Sequence, residues 1–244
     1  MRTLVVLPTY QEAANVVEVL RRIRAAAPAT DALVVDDGSP DGTADLAQAA
    51  ARELGRVEVL RRTSKAGLGN AYRAGFAVGL ERGYEVLVEM DADLSHDPAA
   101  LPSLLRAVEE GADLAIGSRY VPGGSIPAWS ASRRALSRNG NRYAAAVLGL
   151  DVHDATAGFR AYRAVMLEKI DLSSVRADGY GFQIEMTYRV ARARGTIVEV
   201  PIAFTERVRG QSKMSSHIVV EALALVTWWG IRDRVLHRGR DSWS

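Results

Sequence analysis

The stretch VLVEMDADLSH, residues 86–96, runs from an apolar segment with the composition of a buried strand straight into two carboxylates spaced two apart. In an extended chain residues i and i+2 point to the same face, so Asp91 and Asp93 aim together at whatever lies beyond the strand end. Two adjacent carboxylates repel, and the repulsion is relieved by protonating one of them or by placing a cation between them. Hard oxygen donors of this kind suit Mg2+ or Mn2+, and magnesium is typically held by one or two carboxylates together with substrate phosphates. A solvated acidic turn capping a helix at Pro98 is the competing reading. His96, a lone histidine in such a loop, reads as structural.

Outward from this stretch the first half of the chain alternates apolar, β-rich runs with helical patterns. TLVVLP and ALVVDD read as strands. Between them AANVVEVLRRIRAAA places Val16, Val19, Leu20 and Ile23 on one helical face. A helix capped by Asp41 or Thr43 and ended by Gly55, the strand VEVLRR, a helix over 68–80, the strand EVLVEMD, a helix begun by Asp97-Pro98 and the strand DLAIGS follow. Strands separated by helices predict parallel βαβ units with helices on both faces of the sheet. Ligands of such sheets bind beyond the carboxyl ends of the strands. Pro8-Thr9-Tyr10, Asp36-Asp37 and Asp91-Asp93 all fall there and are expected to line one rim. From about Tyr120 longer helices take over, over 131–148 and 181–194, with short apolar pieces at GFRAY and TIVEVPIAF. These read as an extension that completes the site and covers one edge. No Pro/Gly/Ser-rich linker, repeat or low-complexity tract divides the 244 residues.

Composition narrows the partners. The net charge of +2 is nearly neutral, but between Arg119 and Arg163 seven arginines meet only Asp151 and Asp154 as acidic residues. A second basic group, Arg232, Arg234, Arg238 and Arg240, lies near the end. Both point to anionic partners; nucleic acid is not expected among them. The chain has no cysteine, which excludes disulfides and thiolate-metal sites. The apolar run at the start stops at Pro8 and does not read as a signal peptide. Residues 218–231, IVVEALALVTWWGI, are interrupted by Glu221 and fall short of the roughly 20 residues that span a bilayer. Trp228 and Trp229 followed by arginines fit either a helix at a membrane surface or a core or subunit-contact helix with a basic end.

Three further motifs are informative. DDGSPDGTAD, residues 36–45, imitates the start of a calcium loop, but the last ligand position falls on Gln48 and a strand precedes it. An acid at a strand end suits a hydrogen bond to a nucleotide, although the G-x-G-x-x-G fingerprint of dinucleotide folds is missing. RTSKAGLGNAYRAGF puts Gly67 and Gly69 at a helix start, where backbone N–H groups can meet an anion, without Walker spacing. FTERVRGQSKMS offers Arg207, Arg209 and Lys213 around Gly210, suited to a departing diphosphate or simply a solvated loop.

Taken together, VVLPTYQE, VVDDGSPDGT, GLGNAY, MDADLSH, GSRYVPGG, TAGFRAYR, GYGFQIEM and VPIAFTERVRGQSK closely resemble, in order from about Leu4 to Lys213, the family 2 inverting glycosyltransferases of the GT-A fold. Within that family they are most similar to the dolichyl/polyprenyl-phosphate mannose synthases. The resemblance implies a Rossmann-like, mostly parallel GT-A sheet with helices on both faces and a C-terminal helical extension. It implies a catalytic domain over 1–213, with a nucleotide-sugar half over 1–118 and an acceptor half over 119–213. Residues 214–244 would form an amphipathic helix at a membrane surface. It assigns the metal, Mg2+ or Mn2+, to Asp91, Asp93 and Ser95, the last at a position where some relatives carry Gln. Donor contacts fall on Pro8, Tyr10, Glu12, Val35, Asp37, Ala92 and Asp93, with Arg207 and Lys213 on the donor phosphates. Arg119, Arg133 and Ser137 fall where relatives bind the acceptor phosphate, and Asp91, Asp93 and Arg119 form the catalytic set.

The reaction implied is transfer of mannose from GDP-mannose to a polyprenyl phosphate with inversion. A lipid acceptor places the enzyme peripherally at a bilayer, expected at its cytoplasmic face, alone or with a membrane partner protein. A relative using another donor such as UDP-glucose, and a non-catalytic nucleotide-sugar or membrane-surface module, are the alternatives. A processive polysaccharide synthase lacks support because the Q-x-x-R-W signature is absent.

Overall fold

The computed structural model describes residues 1–205 and 216–238, with side chains of the final helix described over 221–233. Seven strands form one sheet in the order β3-β2-β1-β4-β6-β5-β7. They are β1 (Thr3–Thr9), β2 (Asp31–Asp36), β3 (Val57–Arg61), β4 (Val86–Glu89), β5 (Leu114–Ser118), β6 (Arg160–Arg163) and β7 (Ile197–Pro201). The helices are α1 (Val16–Ala26), α2 (Thr43–Leu54), α3 (Leu68–Glu81), α4 (Leu101–Glu109), α5 (Ala131–Leu148), α6 (Ala164–Lys169), α7 (Gly179–Arg192) and α8 (Ser216–Arg238).

The central strands are apolar on both faces because both faces are covered. Leu4 and Val6 of β1 join Leu33, Val35, Leu87, Tyr72 and Phe76 in one core layer. Val5 and Leu7 join Val34, Val86, Val88, Val16 and Leu20 in the other. This strict alternation along β1 is the period of two expected of an extended chain.

All neighbouring strands run parallel except β6, which is antiparallel to both β4 and β5. Of the two short apolar pieces late in the sequence, TIVEVPIAF forms the edge strand β7 beside β5, as expected of a piece that covers an edge. GFRAY does not: it inserts as β6 into the middle of the sheet, pairing Glu89 with Arg160 and Val86 with Arg163. The strand order reverses direction between β1 and β4, and the crevice beyond their carboxyl ends is the place where open α/β sheets bind ligands.

Candidate active site

Asp91 and Asp93 stand at that crevice. The Asp91 side chain is 31% exposed, whereas Asp93 and Ser95 are buried. The chain turns sharply between the two, with Leu94 in the left-handed region at φ 65°. Non-glycine residues adopt that conformation at a cost of about 1–3 kcal/mol, and such strain clusters at functional sites. The turn is held by the Ser95 N–H, which donates to Asp93 Oδ1 at 3.0 Å. Thr205 also holds it, donating its N–H to the Ser95 carbonyl at 3.2 Å and its hydroxyl to the Leu94 carbonyl at 3.1 Å.

His96 locks the other end. The Asp91 N–H donates to His96 Nδ1 at 3.2 Å, so the ring carries its proton on Nε2 and is neutral. Burial lowers its pKa, outweighing the nearby carboxylates. The ring packs on Phe159 and Phe204 at 5.4 and 5.5 Å between centroids. The sequence reading leaves His96 out of the metal set, and here its Nδ1 is occupied by the Asp91 N–H. Asp91 Oδ1 accepts from the Tyr72 hydroxyl at 3.2 Å. Burial, reinforced by Asp91 and Glu89, keeps that phenol protonated.

Glu89, two residues before Asp91, is fully buried beside Gln183, Tyr162 and Arg160. Burial pushes its pKa up to about 7 against the opposing field of Arg160.

A divalent cation fits this donor set. Among the described residues no group of three or more His, Cys, Asp or Glu side chains gathers in metal-binding range. Asp91 and Asp93 would be the protein's acidic share, leaving coordination positions for diphosphate oxygens and water, as Mg2+ prefers.

The donor candidates cluster along the ends of β1 and β2. Pro8 lies opposite Val35 in register. Val35 itself is fully buried in the core, so only its backbone is available to a ligand. Ala92 is buried between the two aspartates. Tyr10 carries Lys65 Nζ 4.6 Å over its ring. Glu12 accepts from Asn15 Nδ2 at 2.8 Å, and its N–H donates to Thr43 Oγ1.

The two acids of VVDD have different tasks. Asp36 shapes the turn, accepting from Thr9 Oγ1, Ser39 N and Ser39 Oγ. Asp37 accepts from Arg62 Nη1 at 2.8 Å and from the Ala66 N–H at 3.2 Å. Each carboxylate oxygen can accept again, so Asp37 keeps capacity for a ligand. Arg62 is a site residue that the sequence reading passed over.

The glycine-rich start of α3 already holds an anion. The Gly69 N–H donates to Asp178 Oδ1 at 2.7 Å. Gly67, at φ 95°, lies so close to Asp178 that a Cβ there would stand 2.0 Å from Oδ2. The chain's own carboxylate, 109 residues away from Gly69, occupies one of the N–H groups that the sequence reading leaves open to an anion.

On the acceptor side Arg119 is buried, and its Nε and Nη2 grip Asp154 at 2.7 and 2.6 Å. Nη2 also donates to Thr156 Oγ1 at 2.8 Å, so Nη1 is the edge left for an anion. Asp154 was visible only as one of two acids in an arginine-rich stretch. Arg133, in the first turn of α5, stacks over Trp129 at 4.1 Å. Ser137 follows one turn later. A cleft between α5, α7 and α8 is lined by Arg133, Ser137 and Thr156 together with Trp129, Leu136, Ile184, Leu223 and Val226. Of the three acceptor candidates, Arg133 and Ser137 line this groove, whereas Arg119 does not line it and only contacts one of its lining residues, Thr156. Arg207 and Lys213 lie outside the described residues.

The reversed strand order, the antiparallel strand beside it and the acids at the crevice have the arrangement of the GT-A fold. The sequence pattern of Glycosyl transferase family 2 matches residues 4–171, and the chain belongs to that family.

The chain is 56% identical to a polyprenol monophosphomannose synthase of Mycolicibacterium smegmatis, covering 96% of this chain and 89% of that protein. It is 56% identical to an undecaprenyl-phosphate mannosyltransferase of Micrococcus luteus, covering 96% of each. A dolichol-phosphate mannosyltransferase of Pyrococcus furiosus is 36% identical over 97% of this chain and 67% of its own. Among solved structures, glucosyl-3-phosphoglycerate synthase from Mycobacterium tuberculosis, in complex with Mn2+, UDP-glucose and phosphoglyceric acid, superposes with a TM-score of 0.68. The identity is 21%, covering 92% of this chain and 78% of that one; at that identity the likeness concerns the fold.

Proposed function

We propose that this glycosyltransferase transfers mannose from GDP-mannose to a polyprenyl phosphate with inversion, giving β-mannosyl phosphoryl polyprenol and GDP. The observation that carries the reading is the groove between α5, α7 and α8. Its cationic and hydroxyl-bearing residues Arg133 and Ser137 sit among apolar side chains, which suits an acceptor with a phosphate head and a hydrocarbon tail. The names of relatives more than half identical to the chain support the same acceptor class and the same sugar.

The chemistry is a single displacement. A phosphate oxygen of the acceptor forms a bond to the anomeric carbon as the bond from that carbon to the diphosphate oxygen breaks, and the electron pair leaves with GDP. A phosphate monoester has its second pKa near about 6, so at neutral pH the nucleophile is already largely ionised and needs no general base. The neutral, buried His96 accords with this. Asp91 and Asp93, with Ser95 as the third candidate, would hold a divalent cation, which when bound neutralises charge developing on the departing diphosphate. Asp37, Tyr10 and the backbone around Val35 and Ala92 orient the nucleotide, with Arg207 and Lys213 assigned to its phosphates. Arg119, Arg133 and Ser137 bind and orient the acceptor phosphate. Rate enhancement then rests on positioning and on charge stabilisation.

A lipid acceptor calls for work at a bilayer surface. Among the described residues no helix is long and apolar enough to cross a membrane. Leu136 and Tyr143 of α5, and Leu223, Trp228 and Ile231 of α8, are exposed apolar side chains that support peripheral contact.

The test is a donor panel of radiolabelled nucleotide sugars with purified protein, Mg2+ or Mn2+ and a short polyprenyl phosphate. GDP-mannose is expected to give label in organic-soluble product, lost on chelation and in Asp93→Ala. Turnover of UDP-glucose with none of GDP-mannose overturns the donor assignment. Turnover untouched by Asp93→Ala overturns the site.

A further inference from the structure

We propose that Tyr72 is a positioning residue for the metal seat: its hydroxyl fixes the orientation of the Asp91 carboxylate and thereby sets metal affinity. This rests on the reading of Asp91 as a metal ligand.

Tyr72 is fully buried, and its ring is stacked between Phe76 and Phe182 with centroids 6.0 Å from each. A phenylalanine would satisfy that packing. Burying a hydroxyl as well costs free energy unless it finds a partner, and the partner it has is Asp91 Oδ1 at 3.2 Å. Facing a carboxylate, the phenol is the donor. Asp91 is the more exposed of the two aspartates, with its side chain 31% exposed. His96 Nδ1 accepts its backbone N–H and lies 4.0 Å from its Oδ2.

The reach of Tyr72 is built into α3. Gly75 and Gly79 lie on the same helical face as Tyr72, at i+3 and i+7. A Cβ on Gly75 would stand 2.3 Å from Val6 Cγ1, and one on Gly79 would stand 2.1 Å from Leu87 Cδ2. Glycine within a helix costs about 1 kcal/mol relative to alanine. What these two supply in return is close approach of α3 to β1 and β4, which lets a hydroxyl one turn earlier in the helix touch Asp91, two residues past the end of β4. Hydrogen-bond partners of metal-binding side chains are commonly worth 10- to 100-fold in affinity.

The experiment measures Mn2+ binding to the GDP-loaded protein by calorimetry, for wild type, Tyr72→Phe and Asp91→Ala, with thermal unfolding of each metal-free protein alongside. Binding by wild type, its loss in Asp91→Ala and a weakening of roughly tenfold or more in Tyr72→Phe is the expected result. Equal Mn2+ affinity in wild type and Tyr72→Phe overturns the inference, whatever happens to the melting temperature, and leaves the seat intact if Asp91→Ala still loses the metal. If wild type binds no Mn2+, or Asp91→Ala binds it as wild type does, the metal-seat reading falls and the inference with it.

Discussion

Asp154 has no solvent exposure, and its two oxygens take the Arg119 N–H, Nε and Nη2. Burial alone would raise its pKa, but the charge and hydrogen bonds of Arg119 outweigh burial and leave the carboxyl below its ordinary value. A buried bidentate pair is only weakly stabilising as a whole, yet removing one partner strands the other charge. Asp154→Asn is therefore expected to cost about 3–5 kcal/mol in urea unfolding, far more than exposed pairs such as Arg22 with Glu18. Because the folded pKa is depressed, the contribution is complete above the unfolded value of about 3.9. It fades as pH falls through the lower folded value, so wild type should lose its advantage over Asp154→Asn in acid. If Arg119 binds the acceptor phosphate as proposed, the pair would present it already aimed rather than as a freely rotating cation.

At the scale of elements, α5 and α8 form an exposed pair. Tyr143 Oη and Thr227 Oγ1 share a hydrogen bond at 2.7 Å between them. Trp228 is 61% exposed and Ile231 52%, while α5 presents Arg134, Arg138 and Arg142 outward. Apolar rings beside arginines suit an interface with headgroups. Replacing Trp228 by Ser should leave thermal stability nearly unchanged and lower co-sedimentation with anionic phospholipid vesicles several-fold. Turnover of a short, water-soluble acceptor is expected to persist.

These helices were legible in the sequence because period 3.6 and capping residues are local signals. The spacing gave α5 over 131–148, and Ser130, whose hydroxyl accepts from the Arg133 N–H, caps it. The strand ends and the DAD turn were legible for the same reason. What sequence does not carry is pairing across distance. The plug of Asp178 in the glycine turn of α3 has no local signature, and neither do the grip of Asp154 on Arg119 or the reach of Tyr72 to Asp91. Val35 illustrates the opposite difficulty: a motif position marks it, but its side chain is already part of the core.

The whole molecule is organised around one consequence of the β6 insertion. Residues 1–118 contain five of the seven strands, yet β5 has only β6 and β7 as sheet neighbours. Cut after Ser118, the wholly buried β5 would have no strand to pair with, and β4 would lose its partner on the side of β6. The nucleotide-sugar and acceptor halves proposed over 1–118 and 119–213 are on this argument functional divisions of one folding unit. Asp91 and Asp93 follow β4 and Arg119 follows β5, the two strands on either side of the inserted β6, so their separation is fixed by sheet pairing rather than by a hinge. The full chain is expected to unfold in urea as one transition, with tryptophan fluorescence and far-ultraviolet circular dichroism coincident. A fragment of residues 1–118 should show no cooperative transition. Two separated transitions in the full chain, or a cooperatively folding fragment, would mean instead that donor and acceptor sites sit on halves able to move against each other.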